Sequence, residues 1–357
     1  MKLVSFEVTT VLGRFVRAGV VLESAEQNRI LDLNAAYAWQ LAEEGEAKAK
    51  TLANAILPSQ MLGIIETGER SLDAALGLLE QFNSYAQAAG KRTDFPLGLN
   101  EARLVFEISE VVLKAPFQPA SFRDFFAFEQ HVATGYRLRN ESIPDTWYKI
   151  PVYYKGNHRS IIGPEDTLTW PSYTQKLDYE LELGCIIGKS GRDLTPEQAK
   201  RHIFGYTLVN DFSARDIQKH EMQCRLGPAK AKDFATAIGP CIVTRDELPD
   251  ITSMRLQGHI NGQLLSQGNM ADCHFSFEEM ISHWSQGETI YAGDLIASGT
   301  VGTGCGLEHG TWLAPGDEIT LSADGIGELR NRIAEPKAQM NLLDAFPGKS
   351  SKLSPTT

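Results

Sequence analysis

Asp178, Glu180 and Glu182 alternate with Leu177, Tyr179, Leu181 and Leu183 in one short stretch, and a second acidic segment, Val209-Asn210-Asp211-Phe212-Ser213-Ala214-Arg215-Asp216, follows it. Successive side chains of a strand point to opposite faces, so the three acids share one face and the four apolar residues the other. Like charges two apart on a strand face repel. A hard divalent cation such as Mg²⁺ or Ca²⁺ relieves that repulsion, because it takes oxygen ligands and neighbouring carboxylates supply them. An alternating acidic strand also occurs simply as the solvated face of a sheet. The second acidic segment tips the reading toward a metal site.

The surrounding chain supplies mostly strands to hold such a site. Short strands are predicted over residues 1 to 33, and helices from about Leu33 to Gly90, where Ala74, Leu76, Leu78, Leu79 and Phe82 recur at helical spacing. Pro96 and Leu113-Lys114-Ala115-Pro116-Phe117-Gln118-Pro119 break that pattern, because proline removes a donor and restricts the residue before it. We place a domain boundary there, with residues 1–115 as an N-terminal domain of short strands and helices. Beyond it β-branched and aromatic runs predict strands over Trp147 to Tyr154, Leu177 to Gly188, Phe204 to Val209, Ile238 to Thr244, Arg255 to Ile260, Asp294 to Ser298 and Glu318 to Ser322. Asn261-Gly262 predicts a hairpin turn, because both residues tolerate positive φ. Thr195 and Ser276 are candidate caps for helices over Pro196 to His202 and Ser276 to Trp284. Residues 335–357 lack a pattern and are expected to be loose or to pack only in part.

Composition narrows the chemistry. The 357 residues, 42% hydrophobic, are enough for a sizeable core and for two domains at about 150 residues each. A net charge of −11 with no Lys/Arg cluster argues against a nucleic-acid groove. The five cysteines are widely spaced, with no CxxC pair, so neither a disulfide framework nor a zinc ribbon is indicated and reduced thiols are expected. No apolar run approaches the length of a membrane span or a signal peptide, and a cytoplasmic protein is expected. The chain carries no Walker A motif and no GxGxxG after a strand.

Five segments in order resemble the fumarylacetoacetate hydrolase family. They are Arg123-Asp124-Phe125-Phe126-Ala127-Phe128-Glu129-Gln130-His131, the Glu180/Glu182 strand, Asn210-Asp211-Phe212-Ser213-Ala214-Arg215-Asp216-Ile217-Gln218, Gly227-Pro228-Ala229-Lys230-Ala231-Lys232-Asp233-Phe234, and Gly293-Asp294-Leu295-Ile296-Ala297-Ser298-Gly299-Thr300. The resemblance implies an α+β, mostly β fold, in which a mixed β-sandwich roll over 116–334 is the catalytic domain and a smaller α/β domain precedes it. It also implies a homodimer. By the same resemblance Glu180, Glu182 and Asp211, with Asp124 as a fourth carboxylate, would bind Mg²⁺, with Ca²⁺ or Mn²⁺ as alternatives. For Asp124 the other reading is a helix N-cap.

His131 matches the family's general base and Glu308 the acid that orients it, with Glu129 and Glu279 as alternatives because the loop after Thr300 is shorter here. Lys232 matches the family lysine, and Lys230 lies two residues away. Tyr154, Gln218 and Thr300 match substrate-side positions, and Arg139 or Arg137 could approach an anionic substrate. Phe126 and Met222 stand where fumarylacetoacetase carries tyrosines. Two hydroxyl donors are thereby lost, each worth about 1 kcal/mol to a substrate oxygen, which turns the expectation toward an acylpyruvate or another β-diketone. The activity implied is metal-dependent hydrolysis of a carbon–carbon bond in a β-diketo acid, of the kind met in aromatic catabolism. Decarboxylation of oxaloacetate-like acids and isomerisation or hydration of ring-cleavage products are the alternatives within the family, and a non-catalytic metal-binding protein is the alternative outside it.

Overall fold

The computed structural model describes residues 1–10, 13–23, 28–88, 95–336, 340 and 342. Strand exceeds helix, and two sheets stack. The larger runs in the order Val105–Glu107, Arg29–Asp32, Gly13–Leu22, Lys2–Thr10, Thr236–Thr244, Ile203–Asp211, Leu181–Ile187, Leu295–Ala297, Phe122–Phe125, Tyr153–Lys155. Val112–Lys114 pairs with Lys2–Thr10, and Ile161–Ile162 with Thr236–Thr244. The smaller sheet runs Gln263–Asn269, Arg255–Ile260, Glu318–Ala323, Gly327–Ile333, Thr167–Leu168. Neither closes into a barrel, and the fold is α+β, mostly β.

The faces follow the two-residue period. Leu181, Leu183, Tyr206 and Leu208 of the large sheet pack with Leu256, Ile319, Leu321 and Leu329 of the small one. The opposite face, with Ile186, Val209, Ile238, Ile242 and Leu295, is covered by Leu33, Met61, Ile64, Leu78 and Phe82 from the helices Leu33–Glu43, Met61–Thr67 and Glu69–Ala88. Burial of Leu181 and Leu183 stabilises by about 2 kcal/mol each and fixes register, since a one-residue slip would turn Glu182 into the core. Residues 1–115 therefore extend the large sheet as well as cover it, with Leu3 opposite Ile242 in the ladder.

Local signals act as their chemistry requires. Ser276 Oγ accepts from Glu279 N at 3.2 Å while Glu279 Oε2 accepts from Ser276 N at 2.8 Å, closing a capping box on Phe277–Ser285. Thr195 and Gln198 close another on Pro196–Ala199. Asn261 and Gly262 take φ of 51° and 80° between Arg255–Ile260 and Gln263–Asn269.

Two expectations are corrected. Trp147 to Tyr154 begins as a turn and runs irregularly to Val152, and only Tyr153–Lys155 is strand. Trp147 instead donates its Nε1 hydrogen to Phe126 O at 2.8 Å, which pins the turn. The stretch from Leu177 is broken in two, because Leu177–Asp178 pairs with Ser213–Ala214 while Leu181–Ile187 pairs with Ile203–Asp211. Of residues 335–357, Met340 donates its backbone N–H to Ser172 O at 2.7 Å and Leu342 packs beside Ala214, Ile217 and Ala231. The expectation for the remainder of that segment, apart from residues 335 and 336, lies outside the described residues.

Candidate active site

Asp124, Glu180, Glu182 and Asp211 converge at one end of the large sheet. Asp124 lies in the strand Phe122–Phe125 and is no helix cap, since the helix Glu129–Leu138 begins after Phe128. Glu182 lies in Leu181–Ile187 and Asp211 ends Ile203–Asp211. Glu180 sits in the break before Leu181, where its carbonyl accepts from Asp211 N at 3.3 Å. One oxygen from each of Asp124, Glu180 and Glu182 lies within 4.8 Å of the others, and all three residues are buried. Asp211 joins them through Lys232, whose ammonium contacts Glu180 Oε2 and lies 2.6 Å from Asp211 Oδ2.

The charges do not balance within the protein. Lys232 and Arg215 are the cations paired with the cluster among the described residues, and Arg215 is shared between Glu180 Oε1 and Asp178 Oδ2, each at 2.7 Å. Glu180 faces both cations, which overcome burial and hold its carboxyl below the usual range. For Asp211 burial wins over Lys232, and its carboxyl is raised. Burial and then the neighbouring carboxylates drive Asp124 and Glu182 well above the usual range. Asp124 Oδ1 and Glu182 Oε2 are buried and lack any hydrogen-bond partner. Oxygen donors of excess negative charge, with unsatisfied atoms turned inward, fit a hard divalent cation.

The remaining residues form a wall around this cluster. Tyr154 donates to Asp211 Oδ2 at 2.6 Å, and burial, then the Asp211 charge, keeps it a phenol. Thr236 donates to Asp211 Oδ1 at 3.2 Å and Thr300 to Glu182 Oε1 at 3.1 Å. Thr300 is brought there by Gly299, whose φ of +81° and whose approach to Phe125 O leave no room for a side chain. Gln218 accepts from Arg215 Nη1 at 2.9 Å. Lys232 is 4% exposed, and the charges of Asp211 and Glu180 outweigh its burial and raise its pKa, so it is a fixed cation. Lys230 is exposed and lies over the Tyr173 ring.

His131 enters from the first turn of Glu129–Leu138, and its Nδ1 lies 3.2 Å from Glu308 Oε2. Burial raises the Glu308 carboxyl, but the hydrogen bond and charge of His131 more than offset this and its pKa falls below the usual value. The alternatives are engaged elsewhere, Glu129 by Tyr148 OH at 2.6 Å and Glu279 in its capping box. Phe126 presents its ring edge-on to His131 at 5.6 Å, and Met222 is exposed. The structure does not bring Arg139 to the cluster. It ends the same helix, exposed, with Glu141 at 3.1 Å and the Tyr136 ring beneath it, and Arg137 is also exposed.

Asp178, read only as part of the acidic strand face, and Arg215, quoted only within a motif, have roles that sequence reasoning missed. Asp178, fully buried, accepts from Arg215 Nε, from Gly306 N at 2.7 Å and from Leu307 N at 3.1 Å. It thus caps the short helix Gly306–His309 that carries Glu308. Gly306 is required there, since a Cβ would meet Asp178 Oδ1 at 2.6 Å. A lone arginine among Phe212, Ala214 and Ile217 was the signal, because a buried guanidinium needs carboxylate partners.

A β-sandwich whose sheet end gathers buried carboxylates beside a histidine–glutamate pair defines a class of metal-dependent enzymes acting on small molecules. Residues 120–334 match the fumarylacetoacetate (FAA) hydrolase C-terminal family model. The chain is 31% identical over 300 residues to oxaloacetate tautomerase YisK of Bacillus subtilis, covering 81% of this chain and 91% of that protein. It is 28% identical over 336 residues to the mitochondrial oxaloacetate tautomerase FAHD2B of Bos taurus, covering 93% and 91% respectively. Among solved structures, the fumarylacetoacetate hydrolase (EaFAH) of Exiguobacterium antarcticum superposes with a TM-score of 0.64 at 27% identity, covering 94% of this chain and 99% of that one. The protein belongs to the fumarylacetoacetate hydrolase family. No helix among the described residues is long and apolar enough to cross a membrane.

Proposed function

We propose that the protein interconverts the keto and enol forms of oxaloacetate or a closely similar 2-oxo dicarboxylic acid. The observation that carries this reading is the buried His131–Glu308 pair beside the Asp124, Glu180, Glu182 and Asp211 cluster, a base next to carboxylates that would hold an electrophilic cation. The similarity to two oxaloacetate tautomerases supports the choice of substrate. Asp124, Glu180, Glu182 and Asp211 would hold Mg²⁺ or Mn²⁺, with Ca²⁺ as the alternative. When bound, that ion would withdraw electrons from the 2-oxo group and acidify the adjacent methylene.

His131 accepts the methylene proton through the ring nitrogen that Glu308 does not engage, and Glu308 stabilises the imidazolium while it lasts. The same proton then passes to the 2-oxo oxygen, so the keto acid leaves as its enol. Lys232, as a fixed ammonium, stabilises negative charge developing on that oxygen, and Gln218, whose Oε1 is held by Arg215, offers its amide N–H as a further donor. Thr300 and Tyr154 orient Glu182 and Asp211, and Thr300 also faces the substrate carboxylate.

A second reading is hydrolysis of a carbon–carbon bond in an acylpyruvate-type β-diketo acid, in which His131 would deprotonate water instead. The favouring observation is the same pair, poised to make hydroxide. Phe126 and Met222, which offer no hydroxyl, weigh against fumarylacetoacetate itself. A cytoplasmic homodimer goes with either reading and is checked by light scattering.

The test strips the protein with EDTA, restores Mg²⁺ or Mn²⁺, and follows enol absorbance of oxaloacetate alongside pyruvate release from oxaloacetate, acetylpyruvate and fumarylpyruvate. Metal-dependent loss of enol without pyruvate is the expected result. Cleavage of a diketone in its place would move the assignment to the hydrolase. His131→Gln should lower kcat by about 100-fold or more with metal content unchanged, and full retained turnover would remove His131 from the mechanism.

A further inference from the structure

Cys305 stands against the histidine–glutamate pair and has no part in the chemistry above. Its Sγ is 3.5 Å from Glu308 Oε2 and 3.9 Å from His131 Nδ1, and those two atoms are 3.2 Å apart. Cys305 and His131 are buried, and the side chain of Glu308 is 5% exposed. The three atoms form a compact triangle of one sulfur, one imidazole nitrogen and one carboxylate oxygen.

Tetrahedral Zn²⁺ keeps thiolate sulfur at about 2.3 Å and imidazole nitrogen or carboxylate oxygen at about 2.0–2.1 Å. These bond lengths give one face of the tetrahedron edges of about 3.5 Å from sulfur to either lighter atom and about 3.4 Å between nitrogen and oxygen. The triangle departs from that face by no more than about 0.4 Å, a closure that side-chain rotation supplies. Its chemistry differs from that of the carboxylate cluster. Oxygen-only donors select Mg²⁺, Ca²⁺ or Mn²⁺, whereas thiolate with imidazole selects a softer ion.

We propose that His131, Cys305 and Glu308 form a second cation site, selective for a thiophilic divalent ion of the Zn²⁺ class, whose occupation switches the enzyme off. On binding, the Cys305 S–H bond breaks, its proton goes to solvent, and sulfur donates to the ion. His131 Nδ1 and the Glu308 carboxylate donate lone pairs, and water fills the fourth position. The bound ion separates Glu308 from His131, so the base is no longer oriented or stabilised. Only this inhibitory consequence rests on the proposed function; the site itself does not.

The experiment titrates Co²⁺, as a spectroscopic stand-in for Zn²⁺, into the full chain with the carboxylate cluster first saturated with Mg²⁺. A thiolate-to-cobalt charge-transfer band with intense four-coordinate visible bands is expected in the wild type. It should bleach on addition of one equivalent of Zn²⁺. Cys305→Ser and Cys305→Ala should lack the band, and Cys224→Ser, which removes an exposed thiol, should keep it. In the turnover assay Cys305→Ser should keep its Mg²⁺-supported rate and require at least about tenfold more Zn²⁺ for half inhibition. His131→Gln should weaken Co²⁺ binding by at least about tenfold, which decides the matter even if neither Cys305 variant folds. No band in the wild type, a band that survives in both Cys305 variants, or one lost with Cys224→Ser overturns the site. Absence of turnover on every keto acid removes the proposed function, and the cobalt spectrum still decides the cation site.

Discussion

Asp124 and Glu182 have carboxyls raised by burial first and then by neighbouring negative charge, and this gives the metal-free protein an unusual response to pH. With a folded-state pKa above the unfolded one, each binds more protons when folded, so its stabilisation is full below the unfolded value and is lost as pH rises through the folded value. Metal-free protein should therefore lose thermal stability from these groups as pH rises above the ordinary carboxylate range and through their raised folded-state values. A divalent ion replaces the protons and removes the penalty. The increase in Tm on adding Mg²⁺ or Mn²⁺ should grow with pH, and loading should acidify a weakly buffered solution; a Tm increment independent of pH would contradict the ligand assignment of these two residues. Their acidity was legible at the level of residue type and spacing. Which acid did what was not, because Asp178 has the same alternation as Glu180 and Glu182 yet serves Arg215 and a helix end.

At the scale of elements, the break between Leu177–Asp178 and Leu181–Ile187 is what sends those acids to different tasks. The two-residue period was readable along the whole stretch. The break was not, since it arises from pairing with Ser213–Ala214, and nothing local at Tyr179 or Glu180 announces it. The resemblance singles out Glu308 with Glu129 and Glu279 as alternatives, and the fold sets Glu308 beside His131 while Tyr148 and a capping box occupy the other two. Trp147 to Tyr154 has strand-forming residues, but Pro144 precedes it, Pro151 interrupts it and the Trp147 indole ties its start down as a turn. Asp178 couples three elements, so Asp178→Ala should destabilise by about 3–5 kcal/mol, the cost of leaving one buried partner of an ion pair unpaired. Urea unfolding measures this. Glu129→Gln on the exposed start of the helix Glu129–Leu138 should stay within about 0.5 kcal/mol of the parent, and equal effects of the two would refute the coupling role.

For the whole molecule, we propose that residues 1–115 and 116–334 are two segments of one folding unit. The first strand pairs with Thr236–Thr244, and the helices cover Ile186, Val209, Ile238 and Leu295. Cutting at residue 115 would bare that apolar face and one ladder edge, so 116–334 expressed alone should aggregate; a soluble, monodisperse fragment with native circular dichroism would show instead that the division is a true domain border. The proline-rich stretch marked the end of the helical texture well enough, but a composition change carries no information on which sheet a strand joins. One feature of that sheet bears on time. Leu295–Ala297 lies between the strand of Glu182 and the strand of Asp124, pairing with both. The cluster is therefore incomplete until a strand from late in the chain inserts between two earlier ones, a step of long loop closure. A cation then grips only what has already folded. In stopped-flow experiments Mg²⁺ or Mn²⁺ should slow unfolding and leave the refolding rate nearly unchanged, so the ion would act as a latch on the finished protein and not as a seed for its assembly.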